Sequence, residues 1–373
     1  MSATAPKPFN LHVPDAEIAE LRQRLARVRW PDEPPQEPWS TGTSVGYMQG
    51  LTAYWREQFD WRAWEAKLNG FRQFTVPIRG IDLHFIHERG RGANPMPLLL
   101  SHGWPGSVFE FHKLIPLLTE LFTVIAPSLP GYGLSFKPGQ PRFGIGDIAD
   151  LYAELMSALG YERFAAQGGD WGAFAASVLG HRHPRRLTGI HLNLLAVRRD
   201  PKMLANPTPE EKIFLRELEH FLKEETGYQW IQGTRPQTLA FGLTDSPTGL
   251  AAWIVEKFRA WTDCSGNPEN AVSRDEMLAN ISLYWFTGAI GSSFWPYYAR
   301  MHGPWPIPEG ETVSVPTGYA EFPKEILRPP RSLAEKTYTD IRRWSVMRKG
   351  GHFAALEQPE ALAGEIRDFF LAL

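Results

Sequence analysis

Apolar residues cluster in two separated blocks of this chain, and the spacing inside each block predicts its elements. From Pro97 the run Leu98-Leu99-Leu100 predicts a short buried strand, and Phe122-Thr123-Val124-Ile125-Ala126, rich in β-branched residues, predicts another. Both end in Gly/Pro-rich loops. Between Asp147 and Gly160, the residues Ile148, Leu151, Tyr152, Leu155 and Leu159 recur at helical spacing, with Gly160 placed to end the helix. Phe164 to Ala166 predicts the next strand, Ala173 to Leu179 a helix stopped near Pro184, and Leu187 to Leu195 a further strand. That order of strand, helix and strand predicts a parallel sheet.

The alternation breaks from about Arg198 to Pro306, where Pro207-Thr208-Pro209-Glu210-Glu211 opens a helical, aromatic-rich segment without strand signals. The second block resumes with a strand at Thr312 to Val315, passes Gly350-Gly351-His352, and closes with a helix carrying Leu362, Ile366, Phe369 and Phe370 on one face. Before the first block, Asp15 is expected to cap a helix bearing Ile18, Leu21 and Leu25, and a Pro/Trp-rich stretch follows from Trp30 to Trp39. The predicted division is an N-terminal arm packing on the core (1–92), a first core part (93–197), an inserted helical lid (198–306) and a second core part (307–373).

Composition narrows the function classes. The chain has 373 residues, 43% of them hydrophobic, and a formal net charge of -2, so it can bury one large core plus an appended region. No charge excess points to nucleic acid or to an anionic membrane. Cys264 is the single cysteine, which excludes an intramolecular disulfide. The start lacks the basic-then-apolar pattern of a signal peptide and no apolar run approaches spanning length, so the expectation is a cytoplasmic protein without a membrane anchor.

Candidate chemistry starts at Gln167-Gly168-Gly169-Asp170-Trp171-Gly172, set between a predicted strand and a predicted helix. It has the form of the nucleophile elbow G-x-S-x-G with Asp170 in place of serine; a helix N-cap is the plainer reading of the same aspartate. His102-Gly103-Trp104-Pro105-Gly106 follows the strand at Leu98 to Leu100, where a loop supplies half of an oxyanion hole. Trp104 and Trp171 would give the two backbone N–H groups, with His102 structural. His352 stands after the last strand and before the last helix, the place of a catalytic histidine. Glu325 or Glu321 could orient it. His84-x-x-His87 and His181-x-His183 resemble metal pairs only weakly, since neither has a third ligand nearby.

With these residues in view, the chain resembles the α/β-hydrolase-fold epoxide hydrolases of the group that includes the microsomal and juvenile-hormone enzymes and related fungal and bacterial ones with an N-terminal arm. The resemblance spans nearly the whole length. It rests on His102-Gly103-Trp104-Pro105-Gly106-Ser107, Pro130-Gly131-Tyr132-Gly133, Gly168-Gly169-Asp170-Trp171-Gly172, Thr234-Arg235-Pro236-Gln237-Thr238, Phe322-Pro323-Lys324-Glu325 and Gly350-Gly351-His352-Phe353-Ala354.

The resemblance implies an α/β-hydrolase fold, a mostly parallel sheet flanked by helices with an inserted lid and an N-terminal arm. It implies Asp170 as nucleophile, His352 and Glu325 as the water-activating pair, and two lid tyrosines that hold the epoxide oxygen. Tyr228 matches the first tyrosine and Tyr297 the second. Trp295 stands where a basic residue is expected, which keeps Tyr298 in play. No metal or organic cofactor is implied, the substrate is expected to be an apolar epoxide, and a homodimer is left open. Haloalkane dehalogenases share the Asp-His-acid set but lack the long arm and the tyrosine pair; a non-catalytic ligand-binding relative would be expected to lose the histidine or the nucleophile.

Overall fold

The computed structural model describes residues 5–197 and 206–373; the first residues, read above for a signal peptide, and the start of the lid at Arg198 lie outside the described residues. Among the described residues one sheet is built from β1 (Lys7–Phe9), β2 (Gln73–Ile78), β3 (Ile81–Glu88), β4 (Met96–Ser101), β5 (Phe122–Pro127), β6 (Phe164–Gly168), β7 (Leu187–Leu192), β8 (Thr317–Glu321) and β9 (Ile341–Val346). Their order across the sheet is β1-β2-β3-β5-β4-β6-β7-β8-β9. The pairs β1/β2, β2/β3 and β3/β5 are antiparallel, and every later pair is parallel. The continuous apolar runs read from the sequence lie at the centre, where helices cover both faces: all of β5 is buried, and so are the last four residues of β4.

The central register sets up the site. β4 lies between β5 and β6, with Ser101 paired to Gly168, so the loops leaving β4 and β6 emerge side by side. The helix Asp170–Arg182 begins directly after β6. It can sit this close to β4 because residue 172 is glycine: a Cβ there would overlap the Ser101 carbonyl oxygen. The closing helix Pro359–Leu371 buries Leu362, Ile366, Phe369 and Phe370, as its spacing predicts. Between β7 and β8 the chain forms a run of helices, from Pro209–Glu224 to Trp295–His302.

Four expectations need correction. The segment 1–92 does more than pack on the core, because β1, β2 and β3 extend the sheet itself. β2 and β3 form a hairpin turned by Arg79 and Gly80, both at positive φ, and their alternating Phe74, Val76, Ile78 and Ile81, Leu83, Phe85 carried the signal. The strand expected at Thr312 to Val315 is reduced to one bridge, Val313 to Tyr338; β7 pairs instead with Thr317, Gly318 and Tyr319. Val313 and Val315 turn their side chains onto Gly180 of the elbow helix, so their β-branched character serves helix packing rather than a ladder. β9 was not anticipated, since Arg342 and Arg343 dilute the apolar pattern of an edge strand. Asp15 is the first residue of its helix and not its cap; Pro14 holds the cap position, and the Asp15 carboxylate pairs with Arg62 at 2.5 Å.

The close approach at residue 172 is open to test. Gly172→Ala should cost about 3 kcal/mol or more, as an overpacked core does. Chemical denaturation reads this as a lower midpoint; an unchanged midpoint would mean that the elbow backbone can move aside.

Candidate active site

Three of the proposed catalytic side chains, the carboxylates and the imidazole, follow the carboxyl ends of parallel strands, the edge at which open α/β sheets bind ligands. Asp170 follows β6, Glu325 follows β8 and His352 follows β9. Asp170 has φ +48°, a left-handed conformation that is uncommon outside glycine and is held only where surrounding packing fixes it. Its side chain does not cap the helix. Instead its Oδ1 accepts a hydrogen bond from the Trp104 backbone N–H at 2.8 Å, and its Oδ2 lies 3.4 Å from His352 Nε2. The carboxylate also sits at the N-terminal end of a thirteen-residue helix, where the backbone dipoles favour negative charge.

On the other side of the imidazole, His352 Nδ1 lies 2.6 Å from Glu325 Oε1, which also accepts the Ile326 N–H at 2.7 Å. Burial alone would push His352 down, but the carboxylates of Glu325 and Asp170 on its two ring nitrogens raise it well above the ordinary histidine value. Glu321, the competing acid, ends β8 half-buried; burial raises its pKa and Arg328 opposes this, and it makes no bond to His352.

The two oxyanion candidates differ. The Trp104 N–H makes its contact, whereas the Trp171 N–H, in the first turn of the helix, meets no acceptor among the described residues. His102 is buried, with Nδ1–H directed to the Gly103 carbonyl at 3.1 Å and Nε2 accepting the Leu129 N–H at 3.0 Å, so it braces the loop. His84 binds Ser128 and Gln73, His87 binds Tyr161, His181 pairs with Glu311 and His183 with Asp150. Among the described residues no group of three or more ligating side chains could hold a metal ion.

Above Asp170 the lid contributes an aromatic cluster. Tyr228 stacks on Trp104 with ring centroids 5.3 Å apart, and Tyr297 meets Tyr228 at 5.7 Å and Trp171 at 4.8 Å. Burial, then the neighbouring Tyr228 and Asp170, push the Tyr297 phenol well above its ordinary pKa, so it stays protonated at neutral pH. Tyr298 turns elsewhere, stacking on Trp295 and His302. The structure therefore brings together Asp170, His352, Glu325, Trp104, Trp171, Tyr228 and Tyr297, and leaves Tyr298 and Glu321 outside.

Two neighbours were not read from the sequence. Lys257 is buried with its ammonium 4.5 Å from the centre of the Tyr228 ring, and its only signal was a lysine inside the apolar run Ala252 to Trp261. Glu110 lines the same small cavity as Asp170 and His352.

The helical insertion also holds the loops that carry Trp104 and His352, through hydrogen bonds to their backbone. From the helix Arg274–Thr287, Asn280 donates to the Pro105 carbonyl at 2.8 Å and Tyr284 to the Gly106 carbonyl at 2.7 Å. At the end of the helix Pro247–Trp261, the Trp261 carbonyl accepts the His352 N–H at 2.8 Å, and Asp263 Oδ2 accepts the Gly350 N–H at 3.1 Å.

Comparison with known proteins bears on the family and the fold. Residues 6–111 match the family described as epoxide hydrolase N terminus, and residues 96–220 match the alpha/beta hydrolase fold. Epoxide hydrolase 1 of Oryctolagus cuniculus is 37% identical, over 97% of this chain and 88% of its own. The crystal structure of juvenile hormone epoxide hydrolase from the silkworm Bombyx mori superposes with a TM-score of 0.90 at 31% identity, covering 99% of this chain and 95% of that one. Aspergillus niger epoxide hydrolase gives 0.88 at 30% identity, covering 99% and 97%. Among the described residues no helix is long and apolar enough to cross a membrane. A likeness that runs from the first strand to the last helix, through both the N-terminal segment and the hydrolase core, means that this chain belongs to the epoxide hydrolases and has their α/β-hydrolase fold.

Proposed function

We propose that this enzyme opens an apolar epoxide to a vicinal diol through a covalent ester on Asp170. A serine at the elbow would attack a carbonyl and form an acyl-enzyme, whereas a carboxylate attacking a strained saturated carbon forms an ester whose carbonyl belongs to the enzyme. The observation that carries this reading is the division of labour between the two Asp170 oxygens. Oδ1 rests on the Trp104 N–H, and Oδ2 is directed toward His352. Oδ2 attacks; Oδ1 remains as the carbonyl oxygen, already on its oxyanion donor.

Ring opening builds alkoxide character on the epoxide oxygen, and the phenols of Tyr228 and Tyr297 are suited to donate to it. In the second half-reaction His352, oriented by Glu325, deprotonates a water that attacks the ester carbonyl. Esterification itself prepares this step. The Asp170 negative charge is one of the two that hold the imidazole protonated, so neutralising it lowers the His352 pKa and turns an ion-pair partner into a base. Loss of one oxyanion donor in such sites costs about 3 kcal/mol. The aromatic lining supports an aryl or alkyl epoxide as substrate.

Intact-protein mass spectrometry separates the two half-reactions. His352→Gln should accumulate an adduct with the added mass of the epoxide, and Asp170→Asn should form none; steady turnover by either variant at the wild-type rate would remove that residue from the mechanism.

The phenols can be ranked by pre-steady-state alkylation. Tyr228→Phe and Tyr297→Phe should each slow alkylation about 10- to 100-fold, roughly 1.4–2.7 kcal/mol, and Tyr298→Phe should leave it within about twofold. A silent Tyr297→Phe beside an inactive Tyr298→Phe would move the second donor by one residue.

A further inference from the structure

The mechanism above gives no task to a half-buried acid beside the site. Glu110 sits on the short helical turn Val108–Phe111 that follows the Trp104 loop. Its carboxyl fills the space beside Gly106, where any Cβ would overlap Oε2, so the glycine makes room for the acid. Among the described residues no protein donor hydrogen bonds to that carboxyl.

It faces a cavity with about 20 Å³ open to the centre of a water molecule, bordered by Asp170, His352, Gln167 and Asn193. A polar cavity of this size holds about one water, provided it supplies two or more partners. Gln167 donates to Asn193 Oδ1 at 2.9 Å, which leaves its own buried Oε1 without a protein partner. Neither Tyr228 nor Tyr297 borders the cavity, so it lies apart from the phenols that would grip the epoxide. A water there reaches Asp170 and His352 without displacing the bound diol half of the ester.

We propose that Glu110 is a water-positioning residue of the hydrolytic half-reaction, holding in this cavity the water that His352 deprotonates. The inference rests on the ester mechanism proposed above. Such a water gives one proton to His352 Nε2, directs its second hydrogen to a Glu110 oxygen and bonds through its oxygen to the Asp170 carboxyl carbon. Collapse of the tetrahedral species breaks the bond to the diol oxygen, which leaves with the proton carried by His352. The proton remaining on the regenerated carboxyl passes to His352, restoring the ion pair. Glu110 gains and loses no net proton. Burial, reinforced by the Asp170 charge and opposed by His352, raises Glu110 to about 8, so at neutral pH it is mostly the uncharged acid. A neutral carboxyl positions the water without adding another negative charge beside the oxyanion.

The test follows both half-reactions by single-turnover chemical quench with styrene oxide, using Glu110→Gln, Glu110→Ala and Glu110→Leu. The Ala and Leu variants should alkylate within about threefold of wild type but hydrolyse the ester at least tenfold more slowly, so that ester accumulates and kcat and KM fall together. Leu keeps the volume and reads the same quantity where Ala does not fold. Gln, which still offers an acceptor oxygen, should restore hydrolysis to within about threefold. Hydrolysis at the wild-type rate in Ala or Leu, an equal loss of both half-reactions, or a Gln variant as slow as Leu overturns the assignment. Absence of any ester in the wild type would instead overturn the Asp170 mechanism, and this proposal with it.

Discussion

An imidazole buried between two carboxylates is the constraint around which the site is organised. His352 is almost entirely out of solvent, where burial opposes its charged form. Glu325 at 2.6 Å on one ring nitrogen and Asp170 at 3.4 Å on the other reverse that preference. Removing one member of such a buried set leaves an uncompensated charge, at a cost of about 3–5 kcal/mol. The three residues lie in the loops that follow β6, β8 and β9, so their meeting depends first on the order of those strands in the sheet. In the proposed mechanism the same balance becomes a switch, because the chemistry at Asp170 removes one of the two charges.

The elbow shows how backbone geometry serves that balance. Asp170 is held at φ +48° by a turn with glycines at 168, 169 and 172, and the conformation aims one carboxylate oxygen at the Trp104 N–H while the other faces His352. Residues in such conformations carry strain of about 1–3 kcal/mol, tolerated where the surroundings fix them. Here the surroundings are β4 and β6 in register and a helix that starts without an intervening linker.

Much of the fold was legible because its central strands are continuous apolar runs bounded by glycine and proline. What escaped was decided by packing between distant segments. Val313 and Val315 looked like a strand and serve a helix, while Thr317 to Glu321, with a glycine inside it, is the strand that pairs with β7. The hairpin at residues 73–88 carried an alternating pattern and a two-residue turn, but its membership of the main sheet depends on β3 pairing with β5 rather than with β4, the next strand in the sequence. In the site, the motif residues announced themselves by position along the chain. Choosing between Tyr297 and Tyr298 needed the rotation of one helix, which a departure at Trp295 had obscured. Glu110 and Lys257 had no signal beyond being charged residues inside apolar runs, which three-dimensional burial alone could interpret.

The hydrogen bonds that Asn280 and Tyr284 donate to one loop of the site, and that the Trp261 carbonyl and Asp263 accept from the other, bear on how enzymes of this design can be re-engineered. A helical insertion between two sheet strands invites use as an exchangeable cassette, traded between relatives to alter which substrates are accepted. In this protein the cassette also carries the splints for the chemistry below it. A chimaera that imported a foreign lid without those four attachment points would change selectivity and reactivity together, whereas a library confined to lid side chains other than these contacts and the two tyrosines would leave the splints intact.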